Sequence, residues 1–240
     1  SGASRKLRIA YLSADFRAHP VGHAIPAVIE AHDRNQVEVF GYSMGIDDQS
    51  ACRRRLVAAF DHFADIRTLS APDAVNLIRA DQIDVLIDLQ GWTQDSRPDI
   101  LAMRCATVQV NWLGYPGTMG HPGLADYIVG DRWVTPRQHA RFYSEAIAQL
   151  PHCYLPFDTT RIVGDAPSRA SQGLPDKAFV FCSLNNNYKF NPTVFDLWAQ
   201  ILGRVPGSVL WLSKPSDTAV ANLKQEIVRR GIDEERLLFA

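Results

Sequence analysis

Two histidines, a carboxylate, a lysine and a run of amides fall where short apolar stretches of this chain give way to polar, glycine-rich ones. The first such stretch reads Ser13-Ala14-Asp15-Phe16-Arg17-Ala18-His19-Pro20-Val21-Gly22-His23. An imidazole titrates close to neutrality, so His19 could accept a proton from a substrate hydroxyl. His19 and His23 also have the four-residue spacing of metal ligands on one helix face. Pro20 opposes helical geometry at the residue before it and suits the first position of a helix. The spacing therefore predicts a helix starting at Pro20, with His19 at its entrance and His23 in its first turn as a structural histidine. No third ligand cluster accompanies the pair, and a site without metal is expected. Asp15 could hold a nearby charged group.

A second stretch is Gly114-Tyr115-Pro116-Gly117-Thr118-Met119-Gly120-His121-Pro122-Gly123. Its glycines would let backbone N–H groups approach a phosphate or an acceptor closely. It has neither the Walker A nor the GxGxxG spacing, and a plain Pro-Gly turn between strands stays open as the alternative. Lys189 is the sharper candidate. It follows Asn185-Asn186-Asn187-Tyr188 and precedes Asn191-Pro192, which read as the cap and first residue of a helix. A helix entrance favours anions and an ammonium beside it adds a full charge, so phosphate binding is expected there. The alternative is a solvated loop lysine. No Asp-x-Asp, no Gly-x-Ser-x-Gly elbow and no Cys–His nucleophile arrangement occurs.

These groups need elements to position them. Almost continuously apolar runs occur at Leu7–Ser13, Val37–Ser43, Ile83–Leu89, Thr107–Leu113, Tyr127–Val129, Ala178–Leu184, Ser208–Ser213 and Leu237–Ala240. Their length and β-branched content suit strands buried on both faces of a parallel sheet. Helical patterns lie between them. Residues 72–80 place Ala74, Val75, Leu77 and Ile78 on one side, and residues 192–203 place Val194, Leu197, Trp198, Ile201 and Leu202 on one face. Gly203 and the Pro206-Gly207 turn would end the second helix. Alternating strands and helices imply an α/β fold with right-handed crossovers, and ligands at the carboxyl ends of its strands.

The stretch from about Pro156 to Pro175 is rich in Asp, Thr, Ser, Gly and Pro and breaks the rhythm, as a linker does. Residues 1–160 are expected to form a Rossmann-like lobe, 161–176 a linker, and 177–240 the beginning of a second lobe that is cut short. The Ser1-Gly2-Ala3-Ser4 start reads as a linker or cloning scar.

Composition narrows the function classes. The 240 residues are 46% hydrophobic and 21% charged, ordinary for a globular protein. Lys+Arg number 25 against 26 Asp+Glu, so the net charge is -1 and no general field attracts nucleic acid or an anionic membrane. No apolar run approaches the ~20 residues of a bilayer span, and Ser1 to Arg8 has no signal-peptide h-region. Cys52, Cys105, Cys153 and Cys182 lie far apart without a CxxC, so buried free thiols in a reducing cytoplasm are expected.

Arg8–His23 (RIAYLSADFRAHPVGH), Val110–Gly120 (VNWLGYPGTMG), Ala125–Asp131 (ADYIVGD), Leu184–Pro192 (LNNNYKFNP) and Val205–Leu212 (VPGSVLWL) together resemble one known family. It is the catalytic region of the UDP-N-acetylglucosamine protein O-linked N-acetylglucosaminyltransferases. The motifs occur in order over nearly all 240 residues, and the short linker is more similar to bacterial members than to animal ones, which carry a long insertion there.

The resemblance implies a GT-B glycosyltransferase with two Rossmann-like lobes and a nucleotide sugar between them. This chain would be the first lobe and the opening of the second, without most of the uridine-binding part. The tetratricopeptide repeats that usually precede the catalytic region would lie elsewhere in a parent chain. The implied reaction transfers N-acetylglucosamine from UDP-N-acetylglucosamine to Ser or Thr hydroxyls of a protein acceptor, with inversion and without metal or other cofactor. By motif, His19 corresponds to the proposed catalytic base, Lys189 to the lysine on the diphosphate, and Tyr188 to a residue lining the same site. Asn186 stands where animal members have glutamine, on the nucleotide. The Gly114–Gly120 loop, with Gly117 and Thr118, would lie near acceptor and sugar. Two other readings stay open from the residues themselves. One is a non-catalytic Rossmann-like module that recognises a protein or nucleotide. The other is a GT-B enzyme on a small-molecule substrate, a transferase or a UDP-sugar epimerase.

Overall fold

The computed structural model describes residues 5–161 and 164–240; residues 1–4, read above as a linker or scar, lie outside the described residues, as do 162 and 163 of the expected linker. The chain divides into two compact units, Ser1–Ile162 and Val163–Ala240.

Seven strands form the sheet of the first unit: β1 (Leu7–Ser13), β2 (Val37–Ser43), β3 (His62–Asp65), β4 (Val85–Asp88), β5 (Val108–Trp112), β6 (Tyr127–Gly130) and β7 (Ala146–Gln149). Their spatial order is β3-β2-β1-β4-β5-β6-β7, and every neighbouring pair is parallel. Helices α1 (Pro20–Ala24), α2 (Pro26–Glu30), α3 (Ala51–Ala59), α4 (Ala71–Ala80) and α5 (Pro98–Ala102) lie between the strands in sequence. Alternate residues of β1 serve two cores, because side chains of a strand alternate between faces. Ala10 and Leu12 pack with Tyr42, Val75, Ile78 and Leu86; Tyr11 packs with Ile25, Ile29, Leu56 and Phe60. A strand buried on both sides has to be apolar throughout, which is why β1 and β2 are legible in the sequence.

β3 and β7 are not. Both are short edge strands, with sequences HFAD and AIAQ and little burial, so they carry no apolar signal. Helix α4 begins one residue before the expected start because Ser70 accepts the Asp73 N–H and caps it.

Strand order runs outward in opposite directions from β1 and β4, which are hydrogen-bonded neighbours. Crossovers leave these two strands on opposite sides of the sheet, and a crevice opens between the loops that follow them. The sequence threads Ser13–Pro20 into one lip of that crevice and Asp88–Asp95 into the other.

The second unit has strands β8 (Val180–Ser183), β9 (Val209–Leu212) and β10 (Leu237–Phe239) in the order β10-β9-β8, all parallel, with helices α6 (Pro192–Arg204) and α7 (Asp217–Arg229). Phe195, Ala199 and Leu202 of α6 pack with Leu210, Leu212, Ile227 and Leu237. Asn191 caps α6 as expected, accepting the Val194 N–H at 2.9 Å. Gly203 does not stop this helix, which continues through Arg204; the left-handed residue is Gly207, with φ 74.

The four cysteines are free, but only Cys105 is buried. Cys52 is half-buried, and Cys153 and Cys182 are exposed. Cys182 sits on β8, at the edge of a three-stranded sheet, so an apolar sequence neighbourhood there does not mean burial. No helix among the described residues is long and apolar enough to cross a membrane.

Candidate functional site at the strand-order reversal

The lip after β1 is wound by two successive γ-turns. Arg17 N–H donates to Asp15 O at 2.8 Å and His19 N–H to Arg17 O at 2.7 Å. Helix α3 clamps this loop from behind: the buried Arg53 guanidinium donates to Phe16 O at 3.0 Å and to Ser43 Oγ at 2.7 Å, and Cys52 Sγ donates to Arg17 O. Gly22 is required by close approach, since a Cβ there would collide with the carbonyl oxygens of Arg17 and Asp15.

His19 is the N-cap of α1, in extended conformation, and its Nδ1 accepts the Val21 N–H at 3.3 Å. The same Nδ1 lies 3.4 Å from Asp15 Oδ2, while Arg17 Nη2 lies 3.2 Å from Asp15 Oδ1. The Asp15 side chain is 9% exposed and the His19 side chain 35%. The expected start of the helix at Pro20 is therefore observed, and Asp15 faces both His19 and Arg17. His23 differs from expectation. It is exposed and makes no side-chain hydrogen bond among the described residues, because α1 is only five residues long and turns it outward. No group of three or more His, Cys, Asp or Glu suited to a metal occurs among the described residues.

The opposite lip starts at Asp88, which is fully buried and accepts the Gln90 and Gly91 N–H groups at 3.0 and 2.9 Å. Burial pushes its carboxyl up to about 6, against the pull of those two amides. Gln90 joins the lips: Ser13 Oγ donates to Gln90 Oε1 at 2.9 Å and accepts the Asp15 N–H at 2.9 Å. The sequence places Ser13 and Gln90 in polar stretches at strand ends without marking either for a role, and leaves Asp88 inside the apolar run Ile83–Leu89. Their only signal was position, at or just after the ends of two strands that prove to be neighbours.

The glycine-rich loop leaves β5 through a strained turn. Leu113 has φ 79 and is buried, and the Gly114 N–H donates to Trp112 O across it. Asn111 Nδ2 donates to Tyr115 O and Gly117 O, at 3.2 and 2.9 Å. Thr118 Oγ1 donates to the buried Glu145 at 2.7 Å and accepts the N–H groups of Gly120 and Ser144. A hydroxyl has one proton and two lone pairs, so this one is fully engaged inside the loop. Gly114 reaches the crevice; Gly117 and Thr118 face inward toward Asn111 and Glu145.

His19 borders two cavities of the first unit. One, of about 150 Å³, is enclosed by Asp15, Arg17, His19, Thr93, Asp95 and Gly114. The other, of about 500 Å³, runs along α1 to Leu155, Phe157 and Arg161. A side chain set between two cavities can meet a group presented from either side.

In the second unit, Asn186, Tyr188 and Lys189 share one short helical turn after β8. Asn186 Oδ1 accepts the Tyr188 N–H, and Tyr188 and Lys189 are exposed. Lys189 forms no ion pair among the described residues. Two residues on, α6 offers fewer donors than its position promised. Pro192 has no N–H, Val194 N–H goes to Asn191 Oδ1 and Phe195 N–H to Asn191 O, which leaves Thr193 N–H open.

Comparisons with known proteins fit this arrangement. The chain is 36% identical over 244 residues to "Probable UDP-N-acetylglucosamine--peptide N-acetylglucosaminyltransferase SEC" of Arabidopsis thaliana, a match covering 99% of this chain and 25% of that protein. It is 26% identical to the "UDP-N-acetylglucosamine--peptide N-acetylglucosaminyltransferase" of Caenorhabditis elegans, covering 98% of this chain and 30% of that one. That alignment spans 349 positions against a chain of 240, so the worm protein carries inserted segments. The chain thus spans about a quarter to a third of these relatives. Among solved structures, a mutant of the Thermobaculum terrenum O-GlcNAc transferase superposes with a TM-score of 0.89 at 35% identity, over 98% of this chain and 44% of that one. The lipopolysaccharide outer core galactosyltransferase WaaB, at 17% identity and a TM-score of 0.57 over 97% of this chain and 67% of that one, shares the fold alone. The parallel seven-stranded sheet with its flanking helices is that of a GT-B lobe, and the smaller unit is consistent with the start of a second. A model of the family described as "Glycosyl transferase family 41" matches residues 1–167 and 159–240, and this chain belongs to that family.

Proposed function

We propose that this chain carries part of the catalytic apparatus of a cytoplasmic transferase that moves N-acetylglucosamine from UDP-N-acetylglucosamine to Ser or Thr hydroxyls of proteins, with inversion and without metal. The observation that carries the reading is His19 at the mouth of the crevice beside the β1–β4 reversal, its ring bordering two cavities. Family membership and the relatives' names support the donor and acceptor classes.

In this reading His19 accepts the proton of the acceptor hydroxyl as its oxygen bonds to the anomeric carbon. The bond from that carbon to the diphosphate breaks, and its electron pair leaves with UDP. Positioning and a nearby base compensate for the weak nucleophilicity of an alcohol. The departing diphosphate gathers charge, which Lys189 and the open Thr193 N–H are suited to meet. Tyr188 lines the same turn and Asn186 offers its amide to the nucleotide. The Gly114 end of the glycine-rich loop faces the sugar, whereas Gly117 and Thr118 shape the loop.

Transfer of labelled N-acetylglucosamine by the full-length chain tests the reading. A charged hydrogen bond contributes about 1.5–3 kcal/mol, so Lys189→Ala should slow transfer roughly tenfold to a few hundredfold. Turnover close to wild type in Lys189→Ala or in His19→Ala would remove the corresponding role.

A further inference from the structure

We infer that Asp15 is the positioning residue that decides whether His19 acts as a base. The inference rests on the reading of His19 given above and concerns the proton on its Nδ1.

Nδ1 stands between two incompatible partners. The Val21 N–H at 3.3 Å needs a bare lone pair on Nδ1; Asp15 Oδ2 at 3.4 Å needs a proton there. A neutral imidazole carries one proton, so the two contacts select opposite tautomers. With Nδ1 capping the helix, the proton sits on Nε2 and the ring presents a donor to the crevice. With Nδ1–H facing Asp15, Nε2 presents a lone pair and can take a proton. The same carboxylate then faces the imidazolium that forms.

Asp15 is built to win this competition. A contact to an ionised carboxylate is about twice as strong as one between neutral groups. The carboxylate is also held in place. Its other oxygen faces Arg17, its N–H is bound by Ser13 Oγ, and its carbonyl accepts the Arg17 N–H. Ser13 is in turn bonded to Gln90 on the opposite lip, so the position of Asp15 is set by the two central strands rather than by a free loop. Such a fixed second partner is what orients a catalytic imidazole. The other charged groups around the ring are Arg17 and Asp95 in the small cavity, and Asp158 and Arg161 in the large one. Among the described residues none of them is bonded to a ring nitrogen.

Nitrogen NMR of the whole chain, with ¹⁵N-labelled histidine and the His19 signal identified by its loss in His19→Gln, reads the tautomer directly. Recorded at a pH where the ring is neutral, the expected wild-type spectrum shows the proton on Nδ1. In Asp15→Asn, whose side-chain amide can donate to Nδ1, the proton should move to Nε2. Transfer by the full-length Asp15→Asn chain should fall at least tenfold in kcat with the KM for UDP-N-acetylglucosamine unchanged. A wild-type ring protonated on Nε2, or the same tautomer in both proteins, overturns the inference; the wild-type spectrum alone suffices for this even if the variant fails to fold. A tautomer that follows Asp15 while His19→Ala transfers normally would support the positioning and remove the base role instead.

Discussion

Ser13 and Gln90 close the crevice from beneath: the Ser13 hydroxyl donates to the Gln90 side-chain carbonyl at 2.9 Å, linking the ends of β1 and β4. Both residues are buried, at 0% and 1% exposure. Ser13→Ala would leave the Asp15 N–H and the Gln90 Oε1 without these partners. Each unsatisfied buried group costs about 1–3 kcal/mol, so urea unfolding should report a loss of about 2–6 kcal/mol. A loss below about 0.5 kcal/mol would mean that water replaces the hydroxyl.

The glycine-rich loop depends in the same way on Glu145. Thr118→Val and Glu145→Gln should each destabilise by about 1–3 kcal/mol, because each disrupts the same half-buried hydrogen bond. Their double variant should lose clearly less than the sum, since the second change finds the bond already gone. Calorimetry with UDP should show Thr118→Val binding like wild type, as its hydroxyl has no capacity left for a ligand.

Asp88 gives the stability a limb in the opposite sense from the usual carboxylate. Its folded value is pushed up to about 6, above the ordinary 3.8 of the unfolded chain. Below pH 4 both states hold the proton and its contribution is complete. Between about pH 4 and 6 the unfolded state loses its proton first, so stability falls as pH rises, by roughly 3 kcal/mol in all. Asp88→Asn cannot ionise. The stability difference between wild type and this variant should therefore shrink by that amount from pH 4 to pH 7 in denaturant titrations, and a constant difference would contradict the assignment.

A more acidic limb belongs to Asp158. Arg55 Nη1 donates to it at 2.5 Å, and Arg55 also holds Glu30 and Thr160, so the carboxyl is drawn down to about 2. Its contribution is present above pH 4 and disappears as pH falls through about 2. Asp158→Asn should lose roughly 1–2 kcal/mol at pH 7 and nothing below about pH 1. This contact also means that residues 158–160, inside the stretch with linker composition, are fastened to α3.

At the entrance of α6 the effect should be local. Asn191→Ala removes the acceptor of the Val194 N–H and should cost about 0.5–2 kcal/mol. Hydrogen exchange should quicken in the first turn of α6 while the amides of β9 keep their protection.

By itself the sequence determined the buried strands, because a strand covered on both faces has to be apolar along its length; Leu7–Ser13 and Val37–Ser43 are observed with the bounds read from their residues. It determined the caps and helix starts as well, since Asn191, Pro192 and Pro20 act on the backbone beside them. Local chemistry of this kind survives without a fold. What only the tertiary structure decided is which strand ends meet. Nothing in the residues says that β1 lies against β4, and so nothing distinguished Ser13, Asp88 and Gln90 from other strand-end polar groups. Tertiary contacts likewise gave Thr118 to Glu145 rather than to solvent and left His23 exposed. The physical reason is that helix and strand signals act over a few residues, whereas a buried hydrogen bond such as Ser13–Gln90 joins residues far apart in the chain and exists only once the sheet order has brought them together.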